Sequence, residues 1–258
     1  MNSLVILPVK SLKDDVSSEK SKKKKRIPEM LPQKHFLWLV CSPVRGGKTN
    51  LITNLLYNDN IDYSEHFEDI IFISPTIEND KTGRFIMQDE DIHKIVDGLE
   101  DLDLILQSIV EVQKQRLRDG EKSDTLLVLD DTLGLLGQHN SYFATLCSKY
   151  RHYRLSLIVT TQSFKHIPNV ARYNATAYVI METHNRKQLV ALEEELGGNF
   201  PNFTELYKEA THERYSFLYL DMENLKAYKR FEQLLWSRDS NNNNNNNKDE
   251  GKEEEDKN

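Results

Sequence analysis

The stretch Ser42-Pro43-Val44-Arg45-Gly46-Gly47-Lys48-Thr49 carries the residue types that hold a polyphosphate. The phosphate-loop pattern asks for Gly, four residues, then Gly-Lys-Ser/Thr. Gly47, Lys48 and Thr49 satisfy its second half, while Ser42 stands where the first glycine is expected. Gly46 and Gly47 let successive backbone N–H groups turn inward around an anion. A helix opening near Lys48 aims its positive end at the same point. In that setting Lys48 neutralises the β- and γ-phosphates of ATP, and the Thr49 hydroxyl is a ligand for Mg²⁺. Ser42, Pro43, Val44, Arg45, Gly46, Gly47 and Asn50 complete the nucleotide-binding stretch. Arg45 either contacts phosphate or is solvated. The competing reading is a helix-capping turn that happens to hold a lysine.

A second set of chemical groups follows an apolar run. Thr125-Leu126-Leu127-Val128-Leu129 leads into Asp130 and Asp131. In sheets with helices on their faces, ligands gather at the carboxyl ends of the strands. That rule predicts Asp130 beside the phosphate loop, in the Mg²⁺ shell, with Asp131 accepting a proton from an attacking water or orienting it. The plainer alternative is a pair of helix-capping aspartates. A third polar end is Gln162, after Leu155-Ser156-Leu157-Ile158-Val159-Thr160-Thr161. Its amide can hydrogen-bond a γ-phosphate or the lytic water.

These groups need strands to carry them, and the pattern supplies strands. Short apolar runs alternate with helical periodicity, which predicts a parallel sheet with helices on its faces. Strands are predicted at Phe36–Cys41, Ile70–Ile73, Leu126–Leu129, Leu155–Thr161 and Ala177–Met181. Helices are predicted from Leu51, Ile52, Leu55 and Leu56, from the series beginning at Leu99 and ending near Gly120, over Tyr142–Tyr150, and over Gln188–Leu196. Tyr215–Leu220 and Lys226–Phe231 are expected to pair as a hairpin at the sheet edge.

The chain has 258 residues, 38% of them hydrophobic and 29% charged, with a formal net charge of −7. That is material for one α/β domain. Residues 1–29 read as a flexible basic arm, 30–237 as the folded domain, and 238–258 as a disordered Asn-rich acidic tail. Neither terminal segment holds enough apolar surface to offset its ordering entropy. Lys20, Lys22, Lys23, Lys24, Lys25 and Arg26 concentrate positive charge in the arm. This cluster would serve DNA phosphates, a nuclear-import signal, or only solvation. No apolar run approaches the ~20 residues that a membrane span needs. Two cysteines, Cys41 and Cys147, do not make a disulfide framework.

Taken in order, these motifs resemble the additional-strand class of phosphate-loop ATPases. More narrowly they resemble the FtsK–HerA superfamily and the poxvirus-type genome-packaging ATPases of large DNA viruses and virophages. The resemblance rests on residues 42–49, Ile71-Phe72-Ile73-Ser74-Pro75, and Leu127-Val128-Leu129-Asp130-Asp131. It continues through Arg151-His152, Thr161-Gln162-Ser163-Phe164-Lys165-His166-Ile167-Pro168, Arg172 and Asn174, and fades beyond residue 185.

The resemblance implies a RecA-like core, with the strand leading to Gln162 lying between the phosphate-loop and Asp130 strands. It implies a ring-shaped homo-oligomer, a hexamer or pentamer, with ATP at subunit interfaces and an arginine supplied by the neighbour. Arg151 is the first candidate and Arg172 the second. The function so implied is an ATP-driven motor moving double-stranded DNA into a preformed capsid. Capsid vertex proteins would be partners, and the site of action the host cytoplasm, a viral factory or the virion. The competing readings are a nucleoside or nucleotide kinase, and a catalytically weak nucleotide-binding interaction protein.

Overall fold

Among the described residues, nine strands form a single sheet in the order β3-β2-β4-β5-β1-β6-β7-β8-β9. The computed structural model describes residues 27–61, 63–97, 99–135 and 141–239. The strands are β1 (Leu37–Cys41), β2 (Asp69–Ile73), β3 (Ile92–Ile95), β4 (Thr125–Leu129), β5 (Leu155–Thr161), β6 (Ala177–Met181), β7 (Phe217–Asp221), β8 (Lys226–Lys229) and β9 (Gln233–Ser237). The first six run parallel, and β7, β8 and β9 are added antiparallel. The helices are α1 (Lys48–Tyr57), α2 (Arg84–Gln88), α3 (Leu102–Arg118), α4 (Tyr142–Lys149), α5 (Asn169–Asn174), α6 (Arg186–Leu196) and α7 (Phe203–Thr211).

The sheet is covered on both faces, which is why its central strands read as unbroken apolar runs rather than alternating ones. Successive residues of β1 point to opposite sides. Leu37, Leu39 and Cys41 join one core with α3, α4, α6 and α7. Trp38 and Val40 join the other, with Leu51, Ile52, Leu55 and Leu56 of α1. Full burial of each such aliphatic side chain contributes ~1.5–3 kcal/mol, so α1 is pinned to the sheet by four contacts at helical spacing. Leu55→Ala alone would cost ~2–5 kcal/mol. The same face takes Ile27 and Leu31, so packing begins inside the segment read as an arm. The basic cluster at 20–26 and the Asn-rich stretch lie outside the described residues.

The strand that leads to Gln162 is β5, and it lies between β1 and β4, as the resemblance implies. The expected hairpin exists as β7 and β8. It is not the edge, because β9 pairs outside it. β3, β9, α2, α5 and α7 were not expected from the sequence. In β3, His93 and Lys94 interrupt the apolar pattern, as edge strands tolerate. α5 has six residues, too few for periodicity to register. Among the described residues, no helix is long and apolar enough to cross a membrane.

Candidate nucleotide and hydrolysis site

The strand order brings the carboxyl ends of β4, β5 and β1 side by side, and the sequence motifs sit on those ends. After β1 the chain turns through Ser42–Gly47 and enters α1. Gly47 caps α1 with φ 107, a left-handed conformation that glycine adopts without cost. Among the described residues, Gly47 brings no side chain to cap this helix and no acidic residue lies in its first turn. Its leading N–H groups are therefore available to an anion. Arg45 also has a positive φ, of 60, so left-handed and right-handed residues mix along the loop, as in anion-binding nests.

Ser42 replaces the pattern's first glycine without left-handed strain, since it is not among the residues with positive φ. It is buried, with its N–H donating to Thr161 O at 3.0 Å and its Oγ to Pro43 O at 3.1 Å. The cost of the exchange appears four residues later. A Cβ at Gly46 would collide with Ser42 Oγ. The serine fills space that a glycine would leave, and Gly46 keeps the loop passable.

The Lys48 ammonium lies 3.2 Å from Asp131 Oδ2 and 3.4 Å from Ser42 O. Asp131 also accepts a hydrogen bond from Gln162 Nε2 at 3.3 Å. Lysine, carboxylate and amide from three separate strand ends thus meet around one oxygen atom. Asp131 has φ 52, a conformation that costs a non-glycine residue ~1–2 kcal/mol. Its N–H donates to Thr160 Oγ1 at 3.0 Å, and the same hydroxyl donates to Asp130 Oδ1 at 2.7 Å. Thr160 therefore ties both aspartates to β5. The other oxygen of Asp130 accepts from Ser74 Oγ at 3.0 Å. Burial pushes the Asp130 carboxyl above the usual range, and the charge on Asp131 adds to this, against the opposing hydrogen bonds from Thr160 and Ser74.

Thr49 Oγ1 donates to Asp80 Oδ2 at 2.6 Å. Asp80 also accepts from the Thr82 N–H at 2.8 Å. Burial works against its charge, yet these hydrogen bonds hold its carboxyl below the ordinary value. Three groups at the site were missed in the sequence. Thr160 and Ser74 stand at polar strand ends, a signal that was open to reading. Asp80 sits in a turn between short elements and carries no such mark.

The two arginines are placed differently. Arg151 precedes β5 while Gln162 follows it, and seven strand residues separate them by more than ~20 Å. Its side chain is more than half exposed, hydrogen-bonds Tyr150 Oη and lies 3.5 Å from Glu223. Arg172 is mostly buried, paired with Glu195 at 2.6 Å, bonded to Asn169 and stacked over Phe164. Neither arginine contacts Lys48, Asp131 or Gln162 among the described residues.

This geometry can be set against known proteins. The family model described as Poxvirus A32 protein matches residues 24–196, a span that holds every motif above. The chain belongs to the poxvirus A32 family. It is thus one of the packaging-type ATPases that its motifs resemble. Among solved structures, the genome packaging NTPase B204 from Sulfolobus turreted icosahedral virus 2 in complex with AMPPCP is similar, with a TM-score of 0.56 at 15% identity. The match covers 75% of this chain and 95% of that one. The sulfate complex of the same NTPase gives 0.56 at 13% identity, over 75% and 94%. EccC (ATPases 2 and 3) from Thermomonospora curvata, in complex with a signal sequence peptide, gives 0.50 at 15% identity, over 79% of this chain and 36% of that one. These likenesses establish the α/β phosphate-loop fold of the A32-family chain. No curated protein sequence matches it.

Proposed function

We propose that this A32-family ATPase is a motor that hydrolyses ATP to drive double-stranded viral DNA into a preformed capsid. The observation that carries the reading is the meeting of Lys48, Asp131 and Gln162 around a single carboxylate oxygen beside an uncapped helix N-terminus. In the proposed cycle the loop N–H groups and Lys48 take the triphosphate. Asp131, released from Lys48 by the phosphates, orients the attacking water or accepts its proton. Gln162 lies within reach of both and registers loss of the γ-phosphate.

Mg²⁺ fits the donors that this chain offers. The Thr49 hydroxyl and the carboxylates of Asp80 and Asp130 are hard oxygen groups, and this ion commonly takes few protein ligands when substrate phosphates complete its shell. When bound it neutralises charge between the β- and γ-phosphates. Asp130 is nearly inaccessible and both its oxygens are already hydrogen-bonded, so it would hold the ion only by giving up one of those bonds.

The placement of Arg151 supports a site completed by a neighbour. On the amino side of the sheet it is remote from its own phosphate loop. It is more than half exposed, held among the described residues only by Tyr150 and by an exposed Glu223 at 3.5 Å, both of which it would release to reach another subunit. A ring of five or six copies would use it so, with capsid vertex proteins and duplex DNA as further partners and the host cytoplasm or a viral factory as the setting. Arg172 is engaged by Glu195 and Phe164 and would need to leave both.

The test is ATP turnover with and without duplex DNA, for wild type, Lys48→Ala and Asp131→Asn. The motor reading expects DNA-stimulated turnover in wild type and a loss of at least ~100-fold in both variants. It fails if wild type hydrolyses no faster than they do. Mixing Lys48→Ala with Arg151→Ala subunits tests the arginine. Turnover above that of either variant alone is expected if Arg151 acts on a neighbour.

A further inference from the structure

Beyond the phosphate loop, a cavity of about 580 Å³ opens between the outer side of the loop and the chain entering β7. Pro43, Arg45 and Gly46 form one wall, and Arg214, Tyr215 and Ser216 another. Since β5, β1, β6 and β7 are successive neighbours, Gln162 marks its β5 border and Tyr215 its β7 border. That is the axis along which a nucleotide would lie, with its γ-phosphate toward Gln162 and its base toward Tyr215.

Three observations single out the Tyr215 border. First, Tyr215 has φ 63, a left-handed conformation rare for aromatic residues and maintained only where surroundings enforce it. Here the enforcement is visible. The Ser216 N–H donates to Glu213 O at 3.0 Å, and Glu213 is clamped by Lys229 at 2.6 Å, with Arg230 at 3.5 Å. Second, the ring so aimed is 57% exposed although it lies against the loop, with Cδ1 3.6 Å from where a Cβ of Gly47 would be. The Arg214 guanidinium sits 4.7 Å from the ring centroid. Third, Ser216 is 2% exposed, lines the cavity, and its Oγ has no hydrogen-bond partner among the described residues. A buried hydroxyl without a partner is costly unless something else supplies one.

We propose that Tyr215, backed by Arg214, is the stacking platform for the purine ring of the bound nucleotide, with Ser216 Oγ as a polar contact to the base or ribose. An aromatic face tolerates any base and binds it by stacking. The platform accordingly supplies affinity for the nucleoside part, while the loop and Lys48 supply it for the phosphates. This assignment rests on the ATP reading of the site and adds the half that the phosphate loop does not specify.

The two halves can be separated by measuring calorimetric affinity for AMPPCP and for inorganic tripolyphosphate, both with Mg²⁺. Tyr215 is exposed, so Tyr215→Ala leaves the core intact. It is expected to weaken AMPPCP roughly 10- to 100-fold, the loss of one base–aromatic stack, and to leave tripolyphosphate unchanged. Tyr215→Phe should stay within about threefold of wild type for both, and Lys48→Ala should lose both ligands together. The proposal is overturned if Tyr215→Ala binds AMPPCP like wild type, or loses tripolyphosphate to the same extent. It is also overturned if the variant weakens only duplex DNA. A wild-type chain that binds tripolyphosphate but gains nothing from the nucleoside overturns the platform and leaves the phosphate site standing. One that binds neither ligand overturns both.

Discussion

Replacing Thr160 by valine keeps the shape of the side chain and removes one oxygen, and that oxygen holds two aspartates. It donates to Asp130 Oδ1 at 2.7 Å and accepts from the Asp131 N–H at 3.0 Å. A hydrogen bond to a charged group contributes ~1.5–3 kcal/mol, and a buried N–H left without an acceptor costs ~1–3 kcal/mol. Asp131 meanwhile keeps its left-handed backbone with nothing to offset the strain. If ~3 kcal/mol of bias toward the working position of Asp131 is lost, kcat falls roughly 100-fold. Affinity for AMPPCP should change little, because Lys48 and the loop are untouched. A second readout distinguishes this from general damage. Burial already pushes the Asp130 carboxyl up, and Thr160 is the hydrogen-bond donor that most opposes it, so in Thr160→Val the carboxyl rises further. The acidic limb of the kcat–pH profile then moves to higher pH. Thr160→Ser, which retains the hydroxyl, should restore both rate and profile. Steady-state turnover across pH 5–9 is the assay. A Thr160→Val protein within about threefold of the wild-type rate would refute the reasoning.

Asp130→Asn should abolish hydrolysis yet stabilise the nucleotide-free fold. A carboxyl raised by burial costs stability once pH exceeds its unfolded value, a penalty that the neutral amide avoids. The melting temperature should rise at pH 8, and the gain should vanish below about pH 4. Gly46→Ala should weaken AMPPCP at least ~10-fold in calorimetry, because its Cβ meets Ser42 Oγ. Adding Ser42→Gly should recover part of the loss, giving a positive coupling in the double-mutant cycle. At the far end of the sheet, Asp124 accepts from Lys34 at 3.0 Å and His35 at 2.8 Å and pairs with Arg154 at 2.5 Å. Burial opposes its charge, but these partners hold its carboxyl below the usual range. Asp124→Ala should cost about 2 kcal/mol at neutral pH. Because wild type loses the contribution as pH falls through the depressed value, the difference between the two proteins in urea melts should narrow below about pH 4.

The parts of this molecule that could be read in advance are those where one local pattern has one physical cause. β4 and β5 are buried on both faces, so their apolar runs stand out and their polar ends point to the site. The Gly-Gly-Lys-Thr turn announces an anion because few other structures need two glycines before a helix. Asp80 and Tyr215 were not legible for a different reason. Asp80 is brought to the phosphate loop by a turn without periodicity of its own, and Tyr215, read only as the start of a hairpin strand, becomes the loop's neighbour through the strand order of the assembled sheet. β3 was hidden because a strand at a sheet edge need not be apolar, and His93 and Lys94 break its pattern. Arg151 illustrates the limit in the other direction. The resemblance singled it out, and the fold sets it at the opposite end of β5 from Gln162, where only the proposed neighbouring subunit would give it a nucleotide to act on.

The short bond between Thr49 and Asp80 sets a condition on how the protein starts work. On the proposed reading of the site, the hydroxyl that would face Mg²⁺ is already bonded to a carboxylate, so the arriving ion would either draw it away from Asp80 or take both groups together. If the site works as proposed, loading exchanges an internal bond for one to the incoming ion, so nucleotide and Mg²⁺ arrive against a contact that is already made.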